Sequence, residues 1–170
     1  FYRKISSFIL LFFIILGTNS NSEVVKKVEI KGNDRISQET IMVFGDISVG
    51  KDYSVADINS LIKKLYNTYF FSNISASIDN NILSITVKEN PIIKSVKIDG
   101  EKAKKYIERI KELLVLKENT PFVENNVKRD ISLIKEFYRT LGFYFVKIES
   151  EVIKLDKNRI NIKYNLDKGE

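Results

Sequence analysis

The sequence contains no cysteine and no histidine among its 170 residues. Without cysteine, the chain cannot form disulfides, present a thiolate nucleophile, attach haem covalently or carry the lipidated cysteine of a lipoprotein. Without histidine, it lacks an imidazole base and most of the ligand sets that hold zinc. The commonest catalytic and metal chemistries are therefore excluded.

The charged residues lack any run of five with the same sign, although the chain has 28 Lys and Arg against 22 Asp and Glu. Interspersed charges are typical of solvated surfaces and unlike a nucleic-acid-binding patch. Glycine-rich phosphate loops are absent as well. Glu149 and Glu151 share one face of a predicted strand, but no further group completes a catalytic site. We therefore predict no enzyme, no cofactor, no metal and no nucleic-acid partner.

The N-terminal segment has the three-part plan of a secretory signal peptide. Two basic residues precede an apolar run over residues 5–16, and small polar residues occupy 17–22. The apolar run has 12 residues, whereas a membrane span needs about 20. We predict a signal peptide over 1–22, with a retained anchor as the alternative. Because the chain begins with Phe1 rather than Met, we expect an incomplete N-terminus.

A repeated strand-like segment divides the rest of the chain. Residues Val24–Gly32 and Ile92–Gly100 lie 68 positions apart and share Lys, Val, Ile and Gly at every second position. Each copy opens a segment of about 70 residues with the same order of elements. A repeat of this length indicates small tandem modules rather than one enzyme core. We predict two domains, over residues 23–90 and 91–170.

In both segments, periodicity and capping residues predict a strand, two helices and a two-stranded hairpin. In the first segment, Ser37 and Ser54 are N-cap candidates, and Asp57 completes a capping box. In the second, Thr120 and Pro121 are expected to start the long helix. The expected ranges in the first segment are 24–31, 38–44, 55–70, 74–78 and 83–87. Those in the second are 92–98, 103–114, 121–141, 143–153 and 159–166.

The predicted fold class follows from this order. It is α+β, with two tandem β-α-α-β-β modules, each a small three-stranded mixed sheet covered on one face by two helices. The aromatic group Tyr66, Tyr69, Phe70 and Phe71 is predicted to belong to the core. Glu89 and its neighbour Lys88 either fix the angle between the modules or form a surface charge pair.

Several motifs resemble the first and second POTRA domains of the outer-membrane protein assembly factor BamA family. They occupy residues 32–36, 56–58, 65–70, 87–91 and 131–144. The resemblance implies several periplasmic POTRA domains followed by a β-barrel in the cell outer membrane. It also implies a chain that docks unfolded outer-membrane proteins, periplasmic chaperones and accessory lipoproteins. The present sequence is then expected to be an N-terminal fragment whose further modules and barrel lie downstream.

Three related architectures remain as alternatives. A two-partner secretion transporter normally has an N-terminal helix and a proline-rich linker, and neither is present here. A translocation and assembly protein with three POTRA modules is harder to distinguish. A division protein carries one such module behind a retained anchor, and the second repeat and the short apolar run both disfavour it.

The resemblance also implies where a peptide binds. In this family's sheet the last strand is central and the preceding strand lies at an edge, where an extended peptide can pair with it. The candidate edges are 73–79 and 144–152, and the alternative is that both are merely solvated, with Lys147, Glu149 and Glu151 discouraging pairing. The predicted peptide-binding residues are Asn73, Ile74, Ser75, Ala76, Ser77, Ile78, Tyr144, Val146 and Ile148.

Overall fold

The computed structural model describes residues 23–169, so the predicted signal peptide lies outside the described residues. The strands are β1 (Glu23–Val24), β2 (Lys27–Lys31), β3 (Asp52–Tyr53), β4 (Phe71–Asp79), β5 (Ile82–Glu89), β6 (Ile92–Asp99), β7 (Lys147–Leu155) and β8 (Arg159–Asp167). The helices are α1 (Gln38–Gly45), α2 (Val55–Asn67), α3 (Lys104–Leu113) and α4 (Asn125–Thr140).

The strands form two three-stranded mixed sheets with the same topology. The first has the order β2-β5-β4 and the second the order β6-β8-β7. In each, the opening strand is parallel to the central last strand, and the hairpin partner is antiparallel to it. The predicted fold class is confirmed. A short antiparallel pair, β1 with β3, was not predicted.

Local signals in the sequence account for the two helices of the first unit. Ser37 caps α1 by accepting a hydrogen bond from the Thr40 amide. Ser54 and Asp57 form the predicted capping box at the start of α2. Leu61 of α2 is buried against the sheet, so the cap fixes where this helix begins and its apolar stripe fixes which face packs.

Each unit has its own hydrophobic core between its sheet and its helices. The buried residues of the first core are Val25, Ile30, Ile41, Ile47, Tyr53, Leu61, Leu65, Phe71, Ile74, Leu83, Ile85 and Val87. Those of the second are Ile93, Val96, Ile98, Ile110, Leu114, Leu116, Val127, Ile134, Tyr138, Val146, Ile148, Ile160, Ile162, Tyr164 and Leu166. Separate cores mean that each sheet is stabilised chiefly by its own helices.

The glycine that closes each repeated segment has a steric explanation. Gly32 and Gly100 have φ values of +81° and +87°. A Cβ atom would lie 2.0 Å from the carbonyl oxygen of Val87 at Gly32 and 1.9 Å from that of Leu166 at Gly100. Because no side chain fits there, the opening strand can leave the sheet only at a glycine. The two sheets therefore share the same close approach between this glycine and a carbonyl group of the central strand.

The start of the long helix in the second unit differs from the prediction. Helix α4 begins at Asn125, and its N-cap position, Glu124, makes no side-chain capping bond. Thr120 instead accepts a hydrogen bond from the Ile93 amide, and Pro121 forms an isolated bridge with Ile92. Thr120 and Pro121 therefore lie along the edge of β6 and cannot start a helix.

The aromatic group of the first unit is only partly buried. Phe71 belongs to the core, and Phe70 stacks on Phe44 with ring centroids 5.8 Å apart. Tyr66 and Tyr69 are exposed, so the prediction of a core position is wrong for both. Tyr69 follows the end of α2 with a φ of 61°, a left-handed conformation that takes it off the helical stripe.

Among residues 23–169, none of the helices combines the length and apolar character needed to cross a bilayer.

A candidate peptide-binding edge beside helix α2

The two edges of each sheet are not equivalent. The amide of Val25, just before β2, donates to the Lys51 carbonyl at 3.0 Å, and the Val25 carbonyl accepts from the Gly50 amide at 2.7 Å. In the second unit, Ile93 makes the corresponding bonds with Thr120 and Asn119. The loop between the two helices thus covers the start of each opening strand. Within the described residues, no strand pairs with the outer edge of β4 or β7.

Strand β4 is less protected against strand addition than β7. From Phe71 to Ile78 it carries no charge, and only Asp79 at its end is acidic. Strand β7 carries Lys147, Glu149, Glu151 and Lys154. Charged side chains on an edge strand disfavour pairing with a further strand. The open edge that suits peptide addition is therefore β4.

The hairpin turn determines which backbone groups of β4 face outward. Asp79 pairs with Ile82 across a two-residue turn whose residues, Asn80 and Asn81, have φ values of 51° and 63°. Such a turn is closed by a hydrogen-bonded pair, and these pairs then alternate along the strands. Residues 75, 77 and 79 therefore bond to β5. Residues 74, 76 and 78 direct their N–H and C=O groups away from the sheet.

A groove runs between this edge and α2. Its volume is about 410 Å³, and its walls are Val55, Ile58, Asn59 and Ile62 of α2 and Ala76, Ser77 and Ile78 of β4, with Glu23, Tyr53 and Ser54 at one end. Glu23 is the single charged residue among them. The walls are mainly apolar and lack a cluster of convergent charges, so they suit aliphatic side chains rather than an ionic ligand.

The structure brings the predicted residues of the first edge together and separates those of the second. Residues 73–78 all lie in β4, with the side chains of Ile74, Ala76 and Ile78 toward the helices and the alternate ones exposed. In the second unit, β7 begins only at Lys147. Tyr144 is 71% exposed in the preceding loop, so its predicted place on the edge strand is wrong.

Val146 and Ile148 differ from Tyr144 because their side chains are buried. Val146 also precedes β7, and Ile148 lies within it. Both side chains are buried in the second core. These two side chains therefore contribute to packing, and pairing of a peptide with the backbone of β7 stays a prediction.

The contribution of α2 to the groove was missed at the level of sequence. Val55 is 74% exposed at one end of the apolar stripe of α2, while Ile58 and Ile62 are partly buried along it. When the apolar stripe of a helix is wider than the sheet on which the helix packs, some residues of the stripe stay outside the core. The width of this apolar stripe is the feature of the sequence that could have predicted the α2 wall of the groove.

Glu89, at the end of β5, is a buried carboxylate that binds the loop after β2. One of its oxygens accepts hydrogen bonds from the amides of Asp34, Arg35 and Ile36, and the other accepts from Arg35 Nε at 2.8 Å. Burial alone would raise the pKa of Glu89, but these donors outweigh it and lower the pKa. The interpretation of a surface charge pair with Lys88 is therefore wrong.

Glu101 plays the corresponding part in the second unit. It accepts hydrogen bonds from the amides of Lys102 and Ala103 and from the Tyr138 hydroxyl, and it pairs with Lys168 at 2.7 Å. Burial would raise its pKa, but Lys168 and Tyr138 outweigh burial and lower the pKa to about 2. Glu101 is thus ionised at any physiological pH.

Asp130 is the third buried carboxylate, and its side chain is fully enclosed. It accepts hydrogen bonds from the amides of Val115 and Leu116 and from the Tyr164 hydroxyl. Burial prevails over these bonds and raises the pKa of Asp130. No buried polar side-chain atom in the described part of the chain lacks a hydrogen-bond partner. These carboxylates are therefore structural anchors whose bonding capacity is already used.

Comparison with known proteins assigns the second unit. Residues 91–169 match the family model described as POTRA, surface antigen variable number repeat. The second unit is therefore similar to a POTRA domain over its whole described length. The N-terminal domain of Omp85 from Thermosynechococcus elongatus has a TM-score of 0.57 at 14% identity over 88% of this chain and 64% of its own. POTRA1-2 of Omp85 from Anabaena has a TM-score of 0.51 at 15% identity over 89% of this chain and 98% of its own.

These likenesses extend the POTRA fold to the first unit, since they cover both. Among curated proteins, the outer membrane protein assembly factor BamA of Neorickettsia risticii is 23% identical over 95% of this chain and 22% of its own length. BamA of Neisseria meningitidis serogroup B is 27% identical over 86% of this chain and 19% of its own. The chain thus spans about a fifth of the length of these relatives. The resemblance of the POTRA units to those of BamA is confirmed.

Proposed function

We propose that this chain is a periplasmic POTRA segment of an outer-membrane protein assembly factor, and that β4 accepts an unfolded outer-membrane protein as an added strand. The observation that carries the proposal is the edge of β4, which is uncharged from Phe71 to Ile78, is unpaired among residues 23–169 and lies beside an apolar groove. In this proposal the two POTRA units divide at residues 90 and 91, and the chain acts by docking rather than by catalysis.

Backbone pairing suits a receptor that must serve many substrates. An added strand is held by main-chain hydrogen bonds, which do not depend on sequence, while pockets beside the edge select alternate side chains. At β4, Ala76 and Ile78 supply outward N–H and C=O groups, and the groove lined by Ile58 and Ile62 takes apolar side chains. Strands of outer-membrane barrels alternate apolar and polar residues, so one face of such a segment matches the groove.

Accessory lipoproteins and periplasmic chaperones belong to the same proposal as further partners. The curated relatives are named as outer membrane protein assembly factors, and this supports a place at the cell outer membrane with the POTRA units in the periplasm. This chain spans only about a fifth of the length of these relatives, so anchoring by a β-barrel is proposed for the whole protein only.

The test is a titration of the ¹⁵N-labelled full chain with a barrel-strand peptide of about ten alternating residues. We expect amide shifts at Ala76 and Ile78 and along the groove wall of α2. A matched peptide with the same side chains, N-methylated on one edge, cannot pair through that edge and is expected to bind more weakly. Shifts that avoid β4, or equal binding of both peptides, would contradict the proposal.

A further inference from the structure

Tyr66 reaches across from α2 to the open edge of β4. Its hydroxyl oxygen accepts a hydrogen bond from the Ile74 amide at a distance of 3.0 Å. Ile74 is the first of the three β4 residues whose backbone groups face away from β5. The bond occupies a donor that an added strand would otherwise use.

We call this hydrogen bond from the Ile74 amide to Tyr66 the edge cap, and it leaves only a short part of β4 open to strand addition. At one end Tyr66 occupies the Ile74 amide, and at the other the turn at Asn80 and Asn81 ends the strand. Between them, Ala76 and Ile78 keep their outward groups. We infer that Tyr66 sets the register of an added strand by closing the edge at Ile74, so that an extended, uncharged peptide pairs with Ala76 and Ile78 alone. This inference rests on the proposed function.

The placement of Tyr66 is consistent with a role at the surface. Its side chain is 39% exposed and does not belong to the first core. Removing it therefore does not empty the core, and a variant separates the role at the edge from folding. Tyr69 is also exposed, and within residues 23–169 its hydroxyl makes no hydrogen bond to the protein. It provides a matched control.

The corresponding tyrosine of the second unit does something else. The segment Tyr66-Asn67-Thr68 recurs as Tyr138-Arg139-Thr140. Tyr138 is fully buried, and its hydroxyl donates to Glu101 instead of accepting from an edge amide. The same position of the repeat therefore serves as an internal anchor in one unit and as an edge cap in the other. The cap is found on the unit whose edge strand lacks protective charges.

The first measurement tests the cap by hydrogen–deuterium exchange of the full chain. In Tyr66→Phe, exchange of the Ile74 amide is expected to quicken by about tenfold, because the variant removes its acceptor. In Tyr69→Phe it is expected to stay unchanged. Equal exchange at Ile74 in Tyr66→Phe and the natural protein would overturn the inference.

The second measurement tests the register with the barrel-strand peptide carrying a spin label at one end. In the natural protein, we expect peptide-induced protection at Ala76 and Ile78 and none at Ile74. In Tyr66→Phe, one more backbone bond becomes available, so the peptide is expected to bind about fivefold more tightly and to protect Ile74. The relaxation pattern of the label should extend toward Asn73. Tyr66→Ala removes the ring as well, in case the ring alone keeps the edge closed.

The outcomes separate this inference from the proposed function. If the natural protein shows no peptide effect at Ala76 and Ile78, the proposed function fails and the register role fails with it, whatever the exchange of Ile74 shows. If the natural protein binds the peptide there, but Tyr66→Phe and Tyr66→Ala both bind it with the same affinity and register, the proposed function stands and the inference about Tyr66 is overturned.

Discussion

Glu89 and Lys168 occupy equivalent positions at the C-terminal ends of the two central strands, and they carry opposite charges. Each follows by two residues the carbonyl that the repeat glycine approaches. Glu89 pairs with Arg35, and Lys168 pairs with Glu101, in the loop that leaves each opening strand. Both units therefore have an ion pair between the end of the central strand and the loop after the opening strand, but the acidic and basic partners are exchanged. The ion pair is common to the two units, and the residue type at each position is not.

Replacing Glu89 with Gln is expected to destabilise the first unit by about 2 kcal/mol, since the amide would face Arg35 Nε without a charge. Three loop amides also depend on this side chain, which is 1% exposed. Urea unfolding followed by circular dichroism provides the measurement. Glu136→Gln, which breaks an exposed pair with Arg139, is the control and should change little. Equal effects of the two variants would show that the burial of Glu89 contributes nothing.

The pair of Glu101 and Lys168 predicts a pH dependence. The pKa of Glu101 falls from its ordinary value of 4.5 to about 2 in the folded chain. The stability that this shift contributes is present above pH 4.5 and is lost as pH falls toward 2. In Lys168→Met, the pKa of Glu101 should lie closer to its ordinary value, so the loss between pH 6 and pH 3 should be smaller than in the natural protein.

Urea unfolding at the two pH values measures this difference. The raised pKa of Asp130 acts in the opposite direction, since that carboxyl binds its proton more tightly when folded. Because both proteins contain Asp130, its effect cancels when they are compared. An identical pH dependence in the two proteins would mean that Lys168 does not hold the pKa of Glu101 down.

The repeat glycines provide a steric prediction. In Gly100→Ala, the new Cβ would meet the Leu166 carbonyl oxygen at 1.9 Å, so the strand must shift. Gly142 has a similar φ of +89° but nothing within 4 Å of its Cβ position. Gly100→Ala should therefore cost at least about 2 kcal/mol more than Gly142→Ala, whose cost of about 1–2 kcal/mol comes from backbone strain alone. Thermal unfolding of both variants checks the difference, and equal losses would contradict it.

The direction of the β4 amides leads to a test by proline. In Ala76→Pro, the lost N–H faces outward, so the fold should lose only about 1 kcal/mol while the barrel-strand peptide binds about tenfold more weakly. In Ser75→Pro, the lost N–H belongs to the ladder with Thr86, and the first unit should lose about 3 kcal/mol. Unfolding curves and peptide titrations on both variants distinguish the two cases. If Ala76→Pro unfolds the unit as Ser75→Pro does, the assigned direction of these groups is wrong.

Local patterns in the sequence predicted most of the fold but less of the candidate site. The capping box at Ser54 and the alternation through β4 act within a few residues, so they could be predicted. Glu89 could not, because its partners lie 53 to 55 residues away and three of its bonds go to backbone amides that no side-chain pattern reveals. Tyr66 and Tyr138 show the same limit, since one repeated residue is exposed in the first unit and buried in the second.

Asn158, in the turn between β7 and β8, makes a side-chain hydrogen bond from the second unit to the first. Its side-chain amide donates to the Glu89 carbonyl at 3.1 Å, and its own carbonyl accepts from the Ile92 amide at 3.1 Å. Asn158→Gly retains the φ of 49° without strain and removes only the side-chain bond. We expect a broader distance distribution between spin labels on cysteines introduced at the exposed Lys63 and Lys135, in a chain that has no cysteine of its own.

Double electron–electron resonance measures that distribution. Asn80→Gly is the control, because Asn80 has a φ of 51° in the corresponding turn of the first unit and its side chain bonds only to Asp79 among the described residues. The control should leave the distribution unchanged, since both variants relax a left-handed turn but only Asn158 touches the other unit. If Asn158→Gly gives the same width as the control, the orientation of the two units does not depend on this bond, and the covalent path through Asn90 and Pro91 is sufficient to hold it.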